Sequence, residues 1–403
     1  MTKNDDKRVP ALRFKGFNDD WAQRLLKHFI TVSSQKNLDN SFDKFEVLSV
    51  SGKYGIVNQI KFQGRSFAGK TLTNYKVVNT NDVVYTKSPI KNNPYGVIKV
   101  NKHKSGIVST LYAVYNPTKY VCSNFVELYF NDNLRLNKYL KPIVNIGAKH
   151  DMKIANKEVI NHNVIFPEVE EQRQICTLFL KLEKLISLQQ RKAQQLKLLK
   201  KAMLQDIFPN TQGIRQIKLS NNIWVEKRIV DIFKEKNIRS KNGELLSVSI
   251  SKGIYPFSNS ERKNNSSIDK SNYKKVTPGD IAYNSMRMWQ GALGVSKYNG
   301  IVSPAYTVMA TKEKENPLFY YYYFKNTRMM FNFRQHSQGL TSDTWNLKFP
   351  LLKKIAIQIP INKNEEEKII KLFESIDIAI TSIELKIEKL KAVKQFLLQN
   401  MFI

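Results

Sequence analysis

The sequence predicts an α+β fold: two pseudo-symmetric α/β domains separated by two long helices packed as an antiparallel coiled coil. Three observations predict it. Residues 167–209 and 361–403 carry the same helical apolar pattern and align without a gap at an offset of 194 (369 − 175 = 194). The β-rich segments that precede them align at an offset of 198 (273 − 75 = 198). The net charge of +31 is divided between the halves, with 34 Lys and Arg against 17 Asp and Glu in residues 1–210, and 31 against 17 thereafter.

The stretch from Pro167 to Pro209 reads as one helix. Ile175, Leu178, Leu182, Leu185, Leu196, Leu199 and Met203 recur at three–four spacing and lay an apolar stripe along one face. Glu168, Glu170 and Glu171 open it and Lys197, Lys200 and Lys201 close it, the order that suits the helix dipole. Such a helix is roughly 55–60 Å long, so its stripe needs a partner of similar length. The partner lies in the same chain. Ile369, Leu372, Ile376, Ala379, Ile383, Leu390, Val393 and Leu397 repeat the spacing, and the closing LQDIF (204–208) matches LQNMF (398–402). The positions expected to pack the helices are Ile175, Leu182, Leu196 and Met203 with Ile369, Ile376, Leu390 and Leu397. The chain therefore divides into a first domain at 1–166, a helix at 167–209, a second domain at 210–360 and a second helix at 361–403. A two-fold relation between the halves, the favoured reading, makes the helices antiparallel, whereas a translation would make them parallel, and the sequence alone allows both.

Within each domain the same short segments recur. Trp21 and Phe29 of the first opening correspond to Trp224 and Phe233 of the second. VLSVSGKYGI (47–56) answers LLSVSISKGIY (245–255), and YKVVNTNDVVY (75–85) answers YKKVTPGDIAY (273–283), with Asp82 on Asp280 and Tyr85 on Tyr283. Alternating apolar residues broken by Gly, Asn and Pro predict short strands and turns. Asn316-Pro317 opens a helix through LFYYYYFKNTRMMFNF, whose tyrosines are expected in the core rather than on a stacking platform. Each domain ends in a glycine-containing loop, NIGAKHDM (145–152) or HSQGLTSDTW (336–345), then a strand closing on proline.

An excess of cations this large points to a polyanionic partner, above all double-stranded DNA. A membrane surface fits less well, because the cations do not gather on one amphipathic helix and no apolar run reaches spanning length. Two cysteines, Cys122 and Cys176, and a polar N-terminus point to a reducing, cytoplasmic setting without a disulfide framework. Two basic domains held apart by rigid helices make a caliper, and DNA, with a helical repeat of about 34 Å, is the natural object for one.

The candidate DNA contacts lie between the strands. In the second domain NSMRMWQGALG (284–294) offers Asn284, Arg287 and Gln290, side chains able to pair bidentately with guanine or adenine edges. The aligned loop TKSPIKNNPYG (86–96) offers Lys87, Lys91, Asn92 and Asn93. The copies share a framework and differ here, as readers of two different targets would. The glycine-containing loops add Lys149, Gln338 and Thr341. Lys53 and Lys252, with Lys102, Lys104 and Lys263, are expected on phosphates or in solvent. There is no phosphate-binding loop, the five histidines have no metal spacing, and the carboxylates form no nuclease pattern. The Asn93-Pro94-Tyr95 triplet has one of the two prolines of an amino-methyltransferase motif and no glycine-rich cofactor loop. No catalytic residue, metal or cofactor is expected on this chain.

These features resemble the DNA specificity subunit of a type I restriction–modification system. The resemblance spans nearly the whole chain. Its carriers are the RF-x-GF-x₃-W opening from Arg13 to Trp21 and the two copies of proline, acidic cluster and long helix ending in LQ-x-x-F. The second copy departs at Gln216, where the first has Phe14, and at Glu366, where the first has Gln172. The resemblance implies that each domain is a target recognition domain reading one half of a split site. It further implies that the helices set the spacer and dock two methyltransferase subunits acting on adenine N6. S-adenosylmethionine, ATP and Mg would then sit on those partners and on restriction subunits. The alternative from another class is a stand-alone DNA-binding regulator with internal two-fold symmetry.

Overall fold

The computed structural model describes residues 8–90, 93–146, 152–209, 214–219, 223–260, 263–264, 266–312 and 315–403. The chain forms two compact units: Met1–Leu188 with Ile387–Ile403, and Gln189–Lys386. Each unit thus contains one α/β domain and a part of each long helix, so the units divide the helices rather than ending at the prolines that flank them.

In the first unit a four-stranded antiparallel sheet runs in the order Ile30–Val32, Tyr112–Pro117, Val83–Thr86, Ile98–Val100. The central strand explains its own apolar run. Val83 and Tyr85 enter the main core while Val84 enters a second cluster with Leu48, Ile56 and Val108. A strand buried on both faces reads as continuous rather than alternating hydrophobicity. The second cluster is supplied by the hairpin Leu48–Ser51 with Gly55–Asn58 and by the pair Lys76–Val78 with Gly106–Val108, which a parallel bridge from Val47 to Ile107 joins. Ala22–Leu25 pairs antiparallel with Asn163–Phe166, placing the chain to enter the long helix at Val169.

The second unit repeats this strand for strand. Its sheet orders are Phe233–Glu235, Tyr306–Thr311, Ile281–Asn284, Leu293–Val295, and Gly253–Pro256, Glu244–Ser249, Gly300–Val302, Lys274–Val276. Trp224–Arg228 pairs with Ala356–Pro360 as Ala22–Leu25 does with Asn163–Phe166. The turn before each central strand needs a positive φ, supplied by Asn81 (71°) in one unit and Gly279 (89°) in the other. Asn tolerates this region because its short side chain can bond locally. The following carboxylate closes the turn: Asp82 accepts from the Asn79 amide at 2.7 Å and Asp280 from the Thr277 amide at 2.7 Å.

The long helices are Val169–Asp206 and Lys363–Asn400, 38 residues each. In the first unit Lys394 meets Glu183 at 2.7 Å, and Phe402 lies 6.1 Å from Phe179. In the second unit Lys197 meets Glu384 and Lys200 meets Asp377, each at 2.5 Å. In both, rising numbers on one helix face falling numbers on the other, so the helices pack antiparallel. Exposed pairs such as Lys197–Glu384 contribute little, and apolar burial holds the helices. Ile175, Ile369 and Ile376 are buried, whereas Leu182, Leu196, Met203, Leu390 and Leu397 are half-buried. On the second helix the seam runs Ile369, Phe373, Ile376, Ile380, Ile383, Ile387. The sequence stripe found Ile369, Ile376 and Ile383 but took Leu372 and Ala379 in place of Phe373 and Ile380, and passed from Ile383 to Leu390 without Ile387. Leu185, Leu199 and Val393, expected in the stripe, are exposed. A two-helix seam is narrower than the apolar face of either helix, so pattern alone leaves its phase open.

The helix tips close the cores. Phe402 stacks on Phe125 at 5.4 Å and meets the edge of Trp21 at 6.4 Å in the first unit. Phe208 meets Phe319 at 5.8 Å and Trp224 at 6.4 Å in the second. Each matching pentapeptide therefore plugs the core of one unit. The expected helix over 318–333 is two, Pro317–Phe324 and Thr327–Gln335. Asn326 breaks it, because its side chain caps the second by accepting from the Met329 amide at 2.8 Å. Tyr320, Tyr322 and Tyr323 are in the core.

Candidate nucleic-acid interface

The central strand of each unit delivers the variable loop. In the second unit it ends at Asn284, whose side chain accepts from the Met286 amide at 3.0 Å and fixes the turn. A 3-10 turn, Met288–Gln290, follows, and buried Met288 anchors it from below. Gly291, at φ 80°, reverses the chain into the next strand. This local folding leaves Arg287 exposed and Gln290 half-buried, with its Oε1 lacking a hydrogen-bond partner among the described residues.

The glycine-containing loop lies against this turn. The Leu347 amide donates to the Ser285 carbonyl at 2.8 Å, and Trp345 meets Trp289 edge-on at 5.1 Å. Gln338 exchanges backbone hydrogen bonds with Asn346, and the Thr341 amide donates to the Thr344 hydroxyl oxygen at 3.1 Å. Gly339 is required here: at φ 141° a Cβ would come within 2.6 Å of the Thr344 carbonyl oxygen. Arg334 lies over the Trp345 ring at 4.8 Å. The structure thus brings Asn284, Arg287, Gln290, Gln338 and Thr341 onto two adjoining loops, beside an aromatic pair and Arg334 that the sequence reading passed over. Lys252 stands apart on the exposed hairpin turn, 5.4 Å from the Tyr255 ring.

The first unit presents its cations differently. Lys87 donates to the Ile154 carbonyl at 2.9 Å and is half-buried, and burial lowers its pKa. It ties strand to loop in this structure rather than facing solvent. Asn93 is buried within a tight turn, its backbone exchanging hydrogen bonds with Ile90, and its Oδ1 has no partner among the described residues. Lys91, Asn92 and Lys149 lie outside the described residues. Lys102, an expected phosphate contact, forms an ion pair with Glu127 at 3.0 Å.

Lys53 is exposed and lies over Tyr54 at 5.0 Å. It belongs to a larger feature. A groove of about 1040 Å³ is lined by Tyr54, Lys61, Phe62, Lys102, His103 and Lys104 among others. Tyr54 and Phe62 are exposed and meet edge-on at 5.6 Å. Close in sequence, Arg65 covers Phe67 at 4.6 Å and Lys44 covers Phe45 at 5.2 Å, both rings exposed. Cations held over exposed rings suit an anionic polymer such as a DNA backbone, the ammonium groups meeting phosphates. The signal was present in sequence as the doublets Lys44-Phe45, Lys53-Tyr54 and Lys61-Phe62. Each doublet alone reads as solvated surface, and only the fold gathers Tyr54, Phe62 and Lys102 along one groove.

Among the described residues no group of His, Cys, Asp and Glu is arranged to hold a metal ion, and no helix is long and apolar enough to cross a membrane. The described loops present cations, side-chain amides and aromatic rings at exposed edges.

Comparison with known proteins places these features. The family model of the type I restriction modification DNA specificity domain matches residues 221–392. A solved structure of a type I restriction–modification system S subunit from M. genitalium matches at 12% identity, with TM-score 0.59, over 98% of this chain and 99% of that one. A chain from a study of assembly and conformational transition in a type I restriction–modification system matches at 13% identity and TM-score 0.52, over 95% and 97%. At such identities these two likenesses speak for the fold.

Proposed function

We propose that this chain, which matches the model of the type I restriction modification DNA specificity domain over residues 221–392, is a DNA specificity subunit of such a system and that its two domains read the two halves of a split double-stranded DNA site. The observation that carries the proposal is the repeated framework with divergent loops. Asp82 and Asp280 close the same turn, yet the loops that follow the two central strands differ: an Asn-Arg-Gln turn beside two tryptophans in one copy, and in the other a loop whose Lys87 donates to the Ile154 carbonyl. Readers that share a scaffold and differ only at its exposed edge suit two unlike half-sites.

On the same reading the antiparallel helices set the spacer and dock two adenine-N6 methyltransferase subunits, with restriction subunits completing the complex. S-adenosylmethionine, ATP and Mg belong to those partners. This chain contributes recognition and no bond-making step.

Co-expression with a type I adenine-N6 methyltransferase subunit from the same genome tests the proposal. The expected result is co-purification and a new bipartite adenine-methylation motif in the host DNA, mapped by long-read sequencing. A partner-free protein that binds DNA tightly and leaves methylation unchanged would support a regulator instead and overturn the proposal.

A further inference from the structure

We propose that Cys122 and Cys176 form an oxidant-modified thiol pair that closes to an intramolecular disulfide when the protein meets a hydroperoxide and reopens with a thiol reductant. This inference does not depend on how the protein reads DNA. The two sulfurs lie 3.4 Å apart across 54 positions of sequence, both as free thiols. A disulfide bond is about 2.05 Å long, so closure requires little more than an ångström of sulfur movement. These are the chain's two cysteines, so no third thiol competes within the molecule.

The surroundings assign different roles to the two sulfurs. Cys122 is half-exposed at the N-cap of the helix Ser123–Phe130. The contact with the Cys176 thiol, together with the amides of Phe125 and Asn124 and the nearby Arg173 charge, lowers its pKa to about 6 despite partial burial. Cys176 is 3% exposed on the first long helix, and Cys122 and burial push its pKa up. Cys122 is therefore the accessible thiolate, and Cys176 the protonated partner behind it. Gln172, one turn earlier on the same helix, holds the junction: it accepts from the Cys122 amide at 3.0 Å and donates to the Tyr120 and Pro167 carbonyls. That brace keeps the sulfurs opposed.

The chemistry balances. The Cys122 thiolate attacks one peroxide oxygen, the O–O bond breaks, and the departing oxygen takes a proton to leave as an alcohol, or as water from hydrogen peroxide. Cys122 is then a sulfenic acid. The Cys176 sulfur attacks the Cys122 sulfur, the S–O bond breaks, and the hydroxide takes the Cys176 proton to leave as water. Two thiols are oxidised by one peroxide.

The full-length protein treated with hydrogen peroxide, then alkylated under denaturing conditions and digested, gives the test. The expected product is a peptide pair linked through Cys122 and Cys176, with the intact mass lower by two hydrogens and restored by dithiothreitol. Cys176→Ser should stop at a Cys122 sulfenic acid, trapped by dimedone, and Cys122→Ser should leave Cys176 unmodified in the folded protein. A second readout is thermal: the oxidised wild type should melt higher than the reduced form, and the variants should show no such shift. Peroxide that leaves both thiols free, carries Cys122 straight to sulfinic acid in the wild type, or links Cys122 only between molecules would overturn the proposal.

Discussion

Arg13 grips Glu171 through two hydrogen bonds of 2.8 Å each, and the Glu171 side chain is 1% exposed. The second unit repeats the clasp with Arg215 on Glu365, which also accepts from the Trp224 indole at 3.3 Å. In both, the opening segment of a domain is pinned to the first turns of a long helix. Removing one member of a buried pair leaves the other charge without compensation. Arg13→Ala should therefore destabilise the protein by about 3 kcal/mol in urea denaturation. The double change Arg13→Leu with Glu171→Leu should recover most of that loss. A loss near that of an exposed ion pair, below about 1 kcal/mol, would show that water reaches Glu171 once Arg13 is gone.

Lys325, just after the helix Pro317–Phe324, donates to the carbonyls of Ile250 and Gly291, and burial lowers its pKa to about 8. The ordinary value is 10.5. Between those two pH values the unfolded chain holds more protons than the folded one, so this group makes stability rise with pH across the window. Below about pH 8 both states are protonated and its penalty is present in full. The expected rise is about 1–3 kcal/mol, read as the difference between wild type and Lys325→Gln in denaturation at pH 7.5 and 9.5. Taking the difference removes the buried tyrosines, which titrate higher. A constant difference between the proteins would place the Lys325 amine in water.

Arg287 and Lys252 should fail in different ways. Arg287 is exposed on a turn fixed by Asn284 and Met288, the geometry of a base reader. Arg287→Ala should cost about 1–3 kcal/mol on DNA carrying one half-site and relax recognition there. Lys252, on a hairpin tip, suits a phosphate. Lys252→Ala should weaken binding to all sequences alike and reduce the salt slope by about 0.9. Competition binding with half-site variants at several salt concentrations separates them. Equal loss on every sequence for Arg287→Ala would make it a phosphate contact.

Much of this was legible in sequence because the chain states it twice. The match of Asp82 to Asp280 and of Tyr85 to Tyr283 located the central strands, and Pro167 and Pro209 bracketed the helix that runs from Val169 to Asp206. What was lost depends on tertiary context. The Val83–Thr86 strand is buried on both faces, so its role as sheet centre shows only when Val84 is seen in a different cluster from Val83. Lys87 looked like a DNA contact by its place in a basic loop, but the Ile154 carbonyl captures it. The groove around Tyr54 and Phe62 joins residues from the hairpin, the following helix and the turn at 102–105, which no local pattern links. Cys122 and Cys176 were each unremarkable alone; the fold makes them neighbours.

The helices carry the last prediction. If their length sets the distance between half-sites, inserting seven residues at Gln194 should lengthen the tolerated spacer and leave both half-sites unchanged. Seven residues are about two turns, roughly 10 Å of rise at 1.5 Å per residue, and they preserve the phase of the apolar seam. The facing helix needs a matching insertion, and Glu388, the repeat-equivalent of Gln194 at the offset of 194, is the place for it. A two-residue insertion at the same two sites turns the apolar stripe by about 200°, to the opposite side of the helix. It should destabilise the pair and abolish methylation at every spacer. Methylation mapping of both variants reads the outcome directly. An unchanged spacer after the seven-residue insertion, or an altered half-site sequence, would remove the helices from the role of ruler while leaving the recognition loops where they are.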